Sequence, residues 1–324
     1  MIDTLDKNLA ESLMIEVEAQ SALRRLVAEG RLAKEDWPRG AAVTPEDLCL
    51  QSVDDEYRLP DGAQPFQTVL IEEALASEFS DFKLCHDHII DSTNTAMLAK
   101  AAQEPIDALM YLAEFQASGR GRRGRAWVSP FAKNIAMSLG HSSARPLHKM
   151  GGLSLVVGLG AAAALERHGL AQVSLKWPND LWVNHHKLGG ILVELVKDGE
   201  KTAVVVGLGI NVLLTQEERE GIDQAVTDLR EHRVSASRSE LVIDLYRSIK
   251  RNLRLFDERG FEPFIAAFDA IHCLHQQECL FEDGEQRVQA ARVEGVGQEG
   301  ELIVNVNGQR RNLFGGEISI RPRR

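Results

Sequence analysis

Residues 172–212 read "QVSLKWPNDLWVNHHKLGGILVELVKDGEKTAVVVGLGINV", and this stretch decides the fold. Its first part, "QVSLKWPNDLWV", gives a strand, a turn forced by Pro178 and a second strand. The rest, from "KLGGILVEL" to "GLGINV", reads as a long hairpin around "KDGE". Strands that follow one another this way, between helical segments, predict an α+β architecture: a mixed sheet flanked by helices.

Working outward, "KLCHDHIIDSTNTAMLAKAAQ" begins as a short strand and turns helical at Ser92 or Thr93, where a hydroxyl is placed to cap the first free amides of a helix through Lys100. An apolar run from Asp107 to Phe115 predicts a buried strand, and "KNIAMSLGH" from Lys133 another. Pro146 and Gly169 bracket an apolar helix, and residues 239–273 return to helical periodicity. From about Gln277 the short runs between "EDGE", "GQEG" and "VNGQ" predict a small antiparallel barrel, with Asn307-Gly308 as a hairpin turn. At the front, Leu9–Leu32 has helical patterning and "EYRLPDGAQPF" reads as a linker. The expected division is 1–65, 66–275 and 276–324.

The 324 residues include 37 basic and 48 acidic ones, a net charge of −11. That is the wrong sign for a protein whose main partner is a polyanion, so any anion site must be local. Residues 1–65 alone carry seven basic against fourteen acidic residues, a net of −7. The longest apolar stretch, Leu153–Leu165, is too short and broken to span a bilayer, and the N-terminus lacks the apolar core of a secretory signal. A cytoplasmic location without membrane attachment is the expectation. Cys49, Cys85, Cys273 and Cys279 are scattered without zinc-site spacing and read as reduced thiols. His86 and His88 share a strand face but have no third ligand nearby, so they read as structural.

Against this acidic background "SGRGRRGRAW", residues 118–127, packs four arginines and three glycines into ten positions. Gly119, Gly121 and Gly124 spell the G-x-G-x-x-G dinucleotide fingerprint, yet "RAWVSP" follows where a helix should open, and no acid occurs between Ala126 and Met150 for the ribose. Neither a P-loop nor kinase motifs are present. A flexible loop remains, in which guanidinium forks and close-approaching backbone amides suit carboxylate and phosphate. Lys176, Asn179, Asp180 and Lys187 form a second polar set. Asn179 and Asp180 either make the turn or serve the site, where the lysines would neutralise phosphate oxygens and Asp180 would take a metal bridging a nucleotide's phosphates.

Taken in order, "DSTN", "QASGRGRRGRAW", "KWPNDL", "KLGGILVE", "GLGIN" and "GGEISIR" closely resemble the bacterial biotin protein ligases, from about Asp81 to Ile320. The resemblance implies a class II synthetase-like catalytic domain with an SH3-like C-terminal barrel. It also implies a two-step reaction in which biotin and ATP form biotinyl-5'-adenylate, and a carrier lysine then takes the biotinyl group. Carried over position by position, it implies biotin contacts at Ser92, Thr93, Asn94 and Gln116, and an adenylate-covering loop at Arg120, Gly121 and Arg122. It further implies that Lys187 reaches the biotin carboxylate and the phosphate, with Lys187 and Arg122 the catalytic pair. Asn179, Asp180 and Asn211 fall in the nucleotide region, with Asp180 as the Mg2+ ligand. The implied carrier is the biotin carboxyl carrier protein of acetyl-CoA carboxylase.

Some family members begin with a DNA-binding winged helix, and residues 1–65 have a similar length and lead into a similar "YRLP" junction. A net of −7 repels DNA phosphates, so a degenerate or repurposed domain is expected instead of a working repressor. A lipoate or octanoyl transferase is the rival within the enzymes, and no cysteine sits in a nucleophile motif for it. Homodimer formation is left open by the sequence.

Overall fold

The computed structural model describes residues 2–198, 201–282, 288–315 and 319–322. Three expected features therefore lie partly outside the described residues: the tip of "KDGE" at Gly199 and Glu200, most of "EDGE", and residues 316–318 of "GGEISIR". In chain order the elements are α1 (Ile2–Glu29), β1 (Arg31–Ala33), β2 (Gln51–Val53), β3 (Glu56–Arg58), α2 (Thr68–Ala76), β4 (Lys83–Ile90), α3 (Thr93–Ala101), β5 (Leu109–Gln116), β6 (Asn134–Ser143), α4 (Leu153–Arg167), β7 (Val173–Lys176), β8 (Asp180–Val183), β9 (His186–Asp198), β10 (Lys201–Asn211), α5 (Gln216–Glu220), α6 (Arg238–Arg259), α7 (Ile265–Ile271), β11 (Glu278–Glu282), β12 (Val288–Val296), β13 (Leu302–Val306), β14 (Gln309–Leu313) and β15 (Ser319–Pro322).

The stretch 172–212 forms four consecutive strands of a seven-stranded sheet in the order β4-β5-β6-β10-β9-β8-β7. Only β4 and β5 run parallel, joined through α3, so the sheet is mixed and flanked by helices as expected. Strand alternation then separates two faces. On β10, Val204, Val206, Leu208 and Ile210 join Met110, Leu112, Ile135, Met137 and Leu139 in the large core under α2, α4 and α6. On the opposite face Ala203 and Val205 pack under Met97 of α3. Helix α6 begins with a capping box between Ser237 and Glu240 and presents Leu241, Leu245, Ile249, Leu253 and Phe256 to this core. Pro146 opens only a short 3-10 turn; α4 itself starts later, at Leu153.

One ion pair sits at the centre of this packing. Arg238 of α6 donates to the Glu114 carboxylate of β5, and both are essentially without solvent exposure. The Arg238 Nε also donates to the Asn134 carbonyl at 2.8 Å, and Glu114 Oε1 accepts from the Phe66 amide at 2.7 Å and lies 3.1 Å from His86 Nε2. With every donor partnered, the pair is tolerated in a dry core, and Arg238 holds the Glu114 pKa down, at about 2, against the upward push of burial.

The C-terminal residues form a five-stranded antiparallel sheet, order β14-β13-β12-β11-β15, with a two-residue turn in which Asn307 and Gly308 both have positive φ. Trp177 anchors it to the larger sheet by donating from Nε1 to the Gly300 carbonyl at 3.0 Å.

The N-terminal segment departs from a winged helix. Among the described residues it has one long helix, α1, and a three-stranded sheet, β1-β3-β2. Residues 38–50, where a second helix would be, are turns. Its core is completed from outside: Leu23, Leu26, Leu32 and Leu48 bury themselves against Phe131 and Ala132 of the following domain, with Phe115 and Ile89 alongside. Gln20 of α1 accepts from the His88 amide at 3.0 Å and donates to the Ile89 carbonyl, which covers the otherwise unpaired edge of β4.

Candidate active site

A cavity of about 570 Å³ opens on the sheet face away from the large core, at the N-terminal end of α3. Its floor follows from the same alternation that built the core. Past Val205, the β10 residues on this face are Gly207, Gly209 and Asn211, and the cross-strand neighbours of Gly207 are Ser138 and Leu192. The two glycines are required by close approach, since a Cβ on Gly207 would lie 2.3 Å from Asn94 Oδ1 and one on Gly209 would lie 2.6 Å from the Trp127 ring.

Ser92, Thr93 and Asn94 are buried beside this floor. Ser92 occupies the N-cap of α3, but its hydroxyl makes no capping hydrogen bond, which corrects the simple reading of "STN" as a cap. Thr93 instead donates from both its amide (2.9 Å) and its hydroxyl (3.1 Å) to Gln116 Oε1 at the end of β5. Asn94 accepts from Ser138 at Oδ1 and donates from Nδ2 to Glu194 Oε2 at 2.8 Å and to the Leu192 carbonyl at 3.3 Å.

The arginine segment, expected as a flexible loop, is a tight hairpin. Gly121 donates to the Arg125 carbonyl at 2.7 Å, Trp127 to the Gly119 carbonyl at 2.8 Å, and Arg120 bridges Ala126. Arg123 and Gly124 turn it with positive φ, and no strand follows Ala126. The hairpin is tied down at two points: Arg120 pairs with both oxygens of Glu194, at 3.0 and 3.2 Å, and Arg122 donates to Asn179 Oδ1 at 3.2 Å. Asn179 also donates from Nδ2 to the Ile191 carbonyl at 2.8 Å, so its side chain fastens the hairpin and β9 to the turn it helps to make.

Lys187 and Asp180 face each other on β9 and β8, Nζ to Oδ1 at 3.0 Å, with the lysine 6.0 Å above the Trp127 ring. Trp127 thus packs against Gly209 and under Lys187; its Nε1 is buried without a hydrogen-bond partner. Lys176 lies over Trp182, and burial pulls its ammonium pKa below the ordinary value, opposed by Asp180. Asn211 lines the cavity and donates to the Thr227 carbonyl at 3.1 Å. Gly315 approaches Pro178 and Ile320 lines the cavity, which brings the described ends of "GGEISIR" to the site.

The sequence-derived residues are therefore gathered around one cavity, from Ser92 through Asn211. Sequence reasoning missed Glu194 and Ser138. A signal for Glu194 was present: a lone carboxylate in the apolar run "GGILVELV". His86 and His88 belong elsewhere, with ring centroids 5.0 Å apart under α1, and no group of three or more metal-ligating side chains occurs among the described residues.

A buried polar floor under a cationic rim suits a ligand that joins an uncharged polar group to an anion. Residues 87–211 match the biotin/lipoate A/B protein ligase family. The chain is 34% identical over 235 residues to the bifunctional ligase/repressor BirA of Escherichia coli, covering 72% of each chain. It is 36% identical over 182 residues to the biotin–[acetyl-CoA-carboxylase] ligase of Mycobacterium tuberculosis, covering 54% of this chain and 65% of that one. Among solved structures it resembles the biotin protein ligase from Aquifex aeolicus in complex with biotin and ATP, with a TM-score of 0.63 and 25% identity over 74% of this chain and 99% of that one. The chain belongs to the biotin protein ligase family.

Proposed function

We propose that the protein activates biotin with ATP to biotinyl-5'-adenylate and then transfers the biotinyl group to a lysine of a biotin carboxyl carrier protein. The observation that carries this reading is the pairing, in one cavity, of an uncharged hydrogen-bonding floor with a rim of fixed cations. Ser92, Thr93, Asn94 and Gln116 match the ureido ring of biotin, which is polar but uncharged. An apolar acyl tail such as octanoyl would make no hydrogen bond to this polar floor and so gain nothing from it, which disfavours the related transferases.

At the other end a carboxylate and a triphosphate must meet despite their mutual repulsion. Lys187 bridges the two anions from β9, while Arg120 and Arg122, with the Gly121 backbone between them, close over the adenylate and exclude water. In the first step a biotin carboxylate oxygen attacks the α-phosphorus and pyrophosphate leaves; in the second a lysine amine attacks the acyl carbon and AMP leaves. Asn179 and Asn211 border the nucleotide half of the cavity.

Mg2+ fits here in one way. Among the described residues two carboxylates, Asp180 and Asp223, line the cavity, and Asp180 stands beside Lys187; so sparse a carboxylate set suits a cation whose remaining ligands are phosphate oxygens and water. Bound with ATP, it would offset phosphate charge.

The acidic N-terminal segment, with one described helix and a core shared with Phe131, is read as a structural brace and not a DNA reader, although the E. coli relative is named a repressor. No helix among the described residues is long and apolar enough to cross a membrane.

The test is incubation with biotin, magnesium ATP and a biotin-acceptor domain, following pyrophosphate release and acceptor mass together. Both signals are expected; the absence of both refutes the ligase reading.

A further inference from the structure

Glu194 joins two residues that line the cavity, Asn94 on its floor and Arg120 at its mouth. It stands on β9 opposite Val205, on the site face, where a charge is costly unless it is fully engaged. One oxygen accepts from Asn94 Nδ2 at 2.8 Å, and both accept from Arg120 Nη2 at 3.0 and 3.2 Å. The Asn94 amide cannot be reversed in this setting, because its oxygen already accepts from Ser138 and its nitrogen also serves the Leu192 carbonyl. A continuous path therefore runs from Ser138 on the floor through Asn94 and Glu194 to Arg120 at the mouth.

We infer that Glu194 is a positioning residue: it orients the Asn94 amide toward the cavity floor and holds the arginine hairpin over the mouth, so that one carboxylate fixes both halves of the site. The inference rests on the ligase reading for what the site binds, but the geometry it invokes is that of the protein without ligand. A merely structural role is disfavoured by exposure. The Arg120 side chain is 41% exposed and that of Glu194 26%, and ion pairs this accessible contribute little to stability. The effect of Glu194 should therefore appear in the hairpin and the ligand, not in the melting temperature.

Two variants separate its contacts. Glu194→Gln keeps an acceptor for Asn94 but loses the charge that holds Arg120; Glu194→Ala loses both. Without ligand, Glu194→Gln is expected to be cut by trypsin within residues 120–125 about tenfold faster than wild type, with a melting temperature changed by no more than about 2 °C. With biotin and magnesium ATP, it is expected to release biotinyl-adenylate about tenfold faster than wild type, while Glu194→Ala also weakens binding of biotin alone by about tenfold. Adding Glu194→Gln to Arg120→Gln should change release no further, because the two share one interaction. Trypsin cleavage and adenylate release at wild-type rates in Glu194→Gln, or additive effects in the double variant, overturn the inference. If wild type forms no biotinyl-adenylate, the ligase reading fails, and the ligand-free cleavage rates still decide whether Glu194 holds the hairpin.

Discussion

Replacing Gly207 by alanine tests the floor of the site with a single methyl group. Gly207 does not have positive φ, so alanine brings no backbone strain; its cost is contact alone. The new Cβ would stand 2.3 Å from Asn94 Oδ1, 2.8 Å from Cγ and 2.9 Å from Nδ2. Relief requires the amide to withdraw by about 1 Å, since carbon contacts settle near 3.5 Å. The amide is held by Ser138, Glu194 and the Leu192 carbonyl, so it cannot withdraw without giving up bonds. Losing two of them, one to a charged group, costs about 2–4 kcal/mol of stability. If Asn94 contacts biotin, a displacement of that size weakens binding by about 100-fold.

Calorimetric titration with biotin alone, beside thermal melts, reads both effects. The double variant Asn94→Ala, Gly207→Ala removes the clash, so its melt should recover toward that of Asn94→Ala while its biotin affinity equals that of Asn94→Ala. Gly207→Ala binding biotin within about threefold of wild type would refute the placement of Asn94 against the ligand.

Lys187→Ala should lower adenylate formation at least about 100-fold while costing only about 1 kcal/mol of stability, as its partner Asp180 keeps partial access to water; pyrophosphate release and urea unfolding check the two. Arg238→Leu strands a buried Glu114 and should destabilise by about 3–5 kcal/mol in urea unfolding, with part recovered by adding Glu114→Gln. Burial holds His88 at about 4 and His272 at about 3, below the ordinary 6.5. The unfolded chain therefore binds more protons below pH 6.5, and stability falls with pH by about 2 kcal/mol per histidine at pH 5. His141, raised by its aspartate partners despite burial, runs the other way, so the check is a pair: His88→Gln should lose less stability than wild type between pH 7 and pH 5.

What was legible in the sequence is what repeats locally. Alternation around Pro178 and the long apolar hairpin gave the strand order from β7 to β10, and the arginine cluster marked the rim of the cavity. The contacts that make the site specific are remote in sequence. Asn94 meets Glu194 across a separation of 100 residues, and Glu114 meets Arg238 across 124. No periodicity links such pairs. The N-terminal segment was legible in the same partial way: α1 shows its own amphipathic pattern, but nothing in it signals that its apolar face packs on Phe131, just past the arginine hairpin, or that Gln20 covers the β4 edge.

The cavity opens where one helix begins. Helix α3 runs for nine residues: Met97 covers Ala203 and Val205, and the first turn sets Asn94 on Gly207, the next residue on that face of β10. At that first turn, aliphatic side chains of β10 give way to Gly207 and Gly209, and the space is taken by the Asn94 amide and the Trp127 ring. The first turn of α3, not its cap hydroxyl, therefore supplies the floor, and the β-strand that completes the core on one face completes the binding site on the other. A glycine at either position is thus a statement about a partner side chain, and at Gly209 that partner is Trp127, the base of the arginine hairpin, whose ring leaves no room for a Cβ.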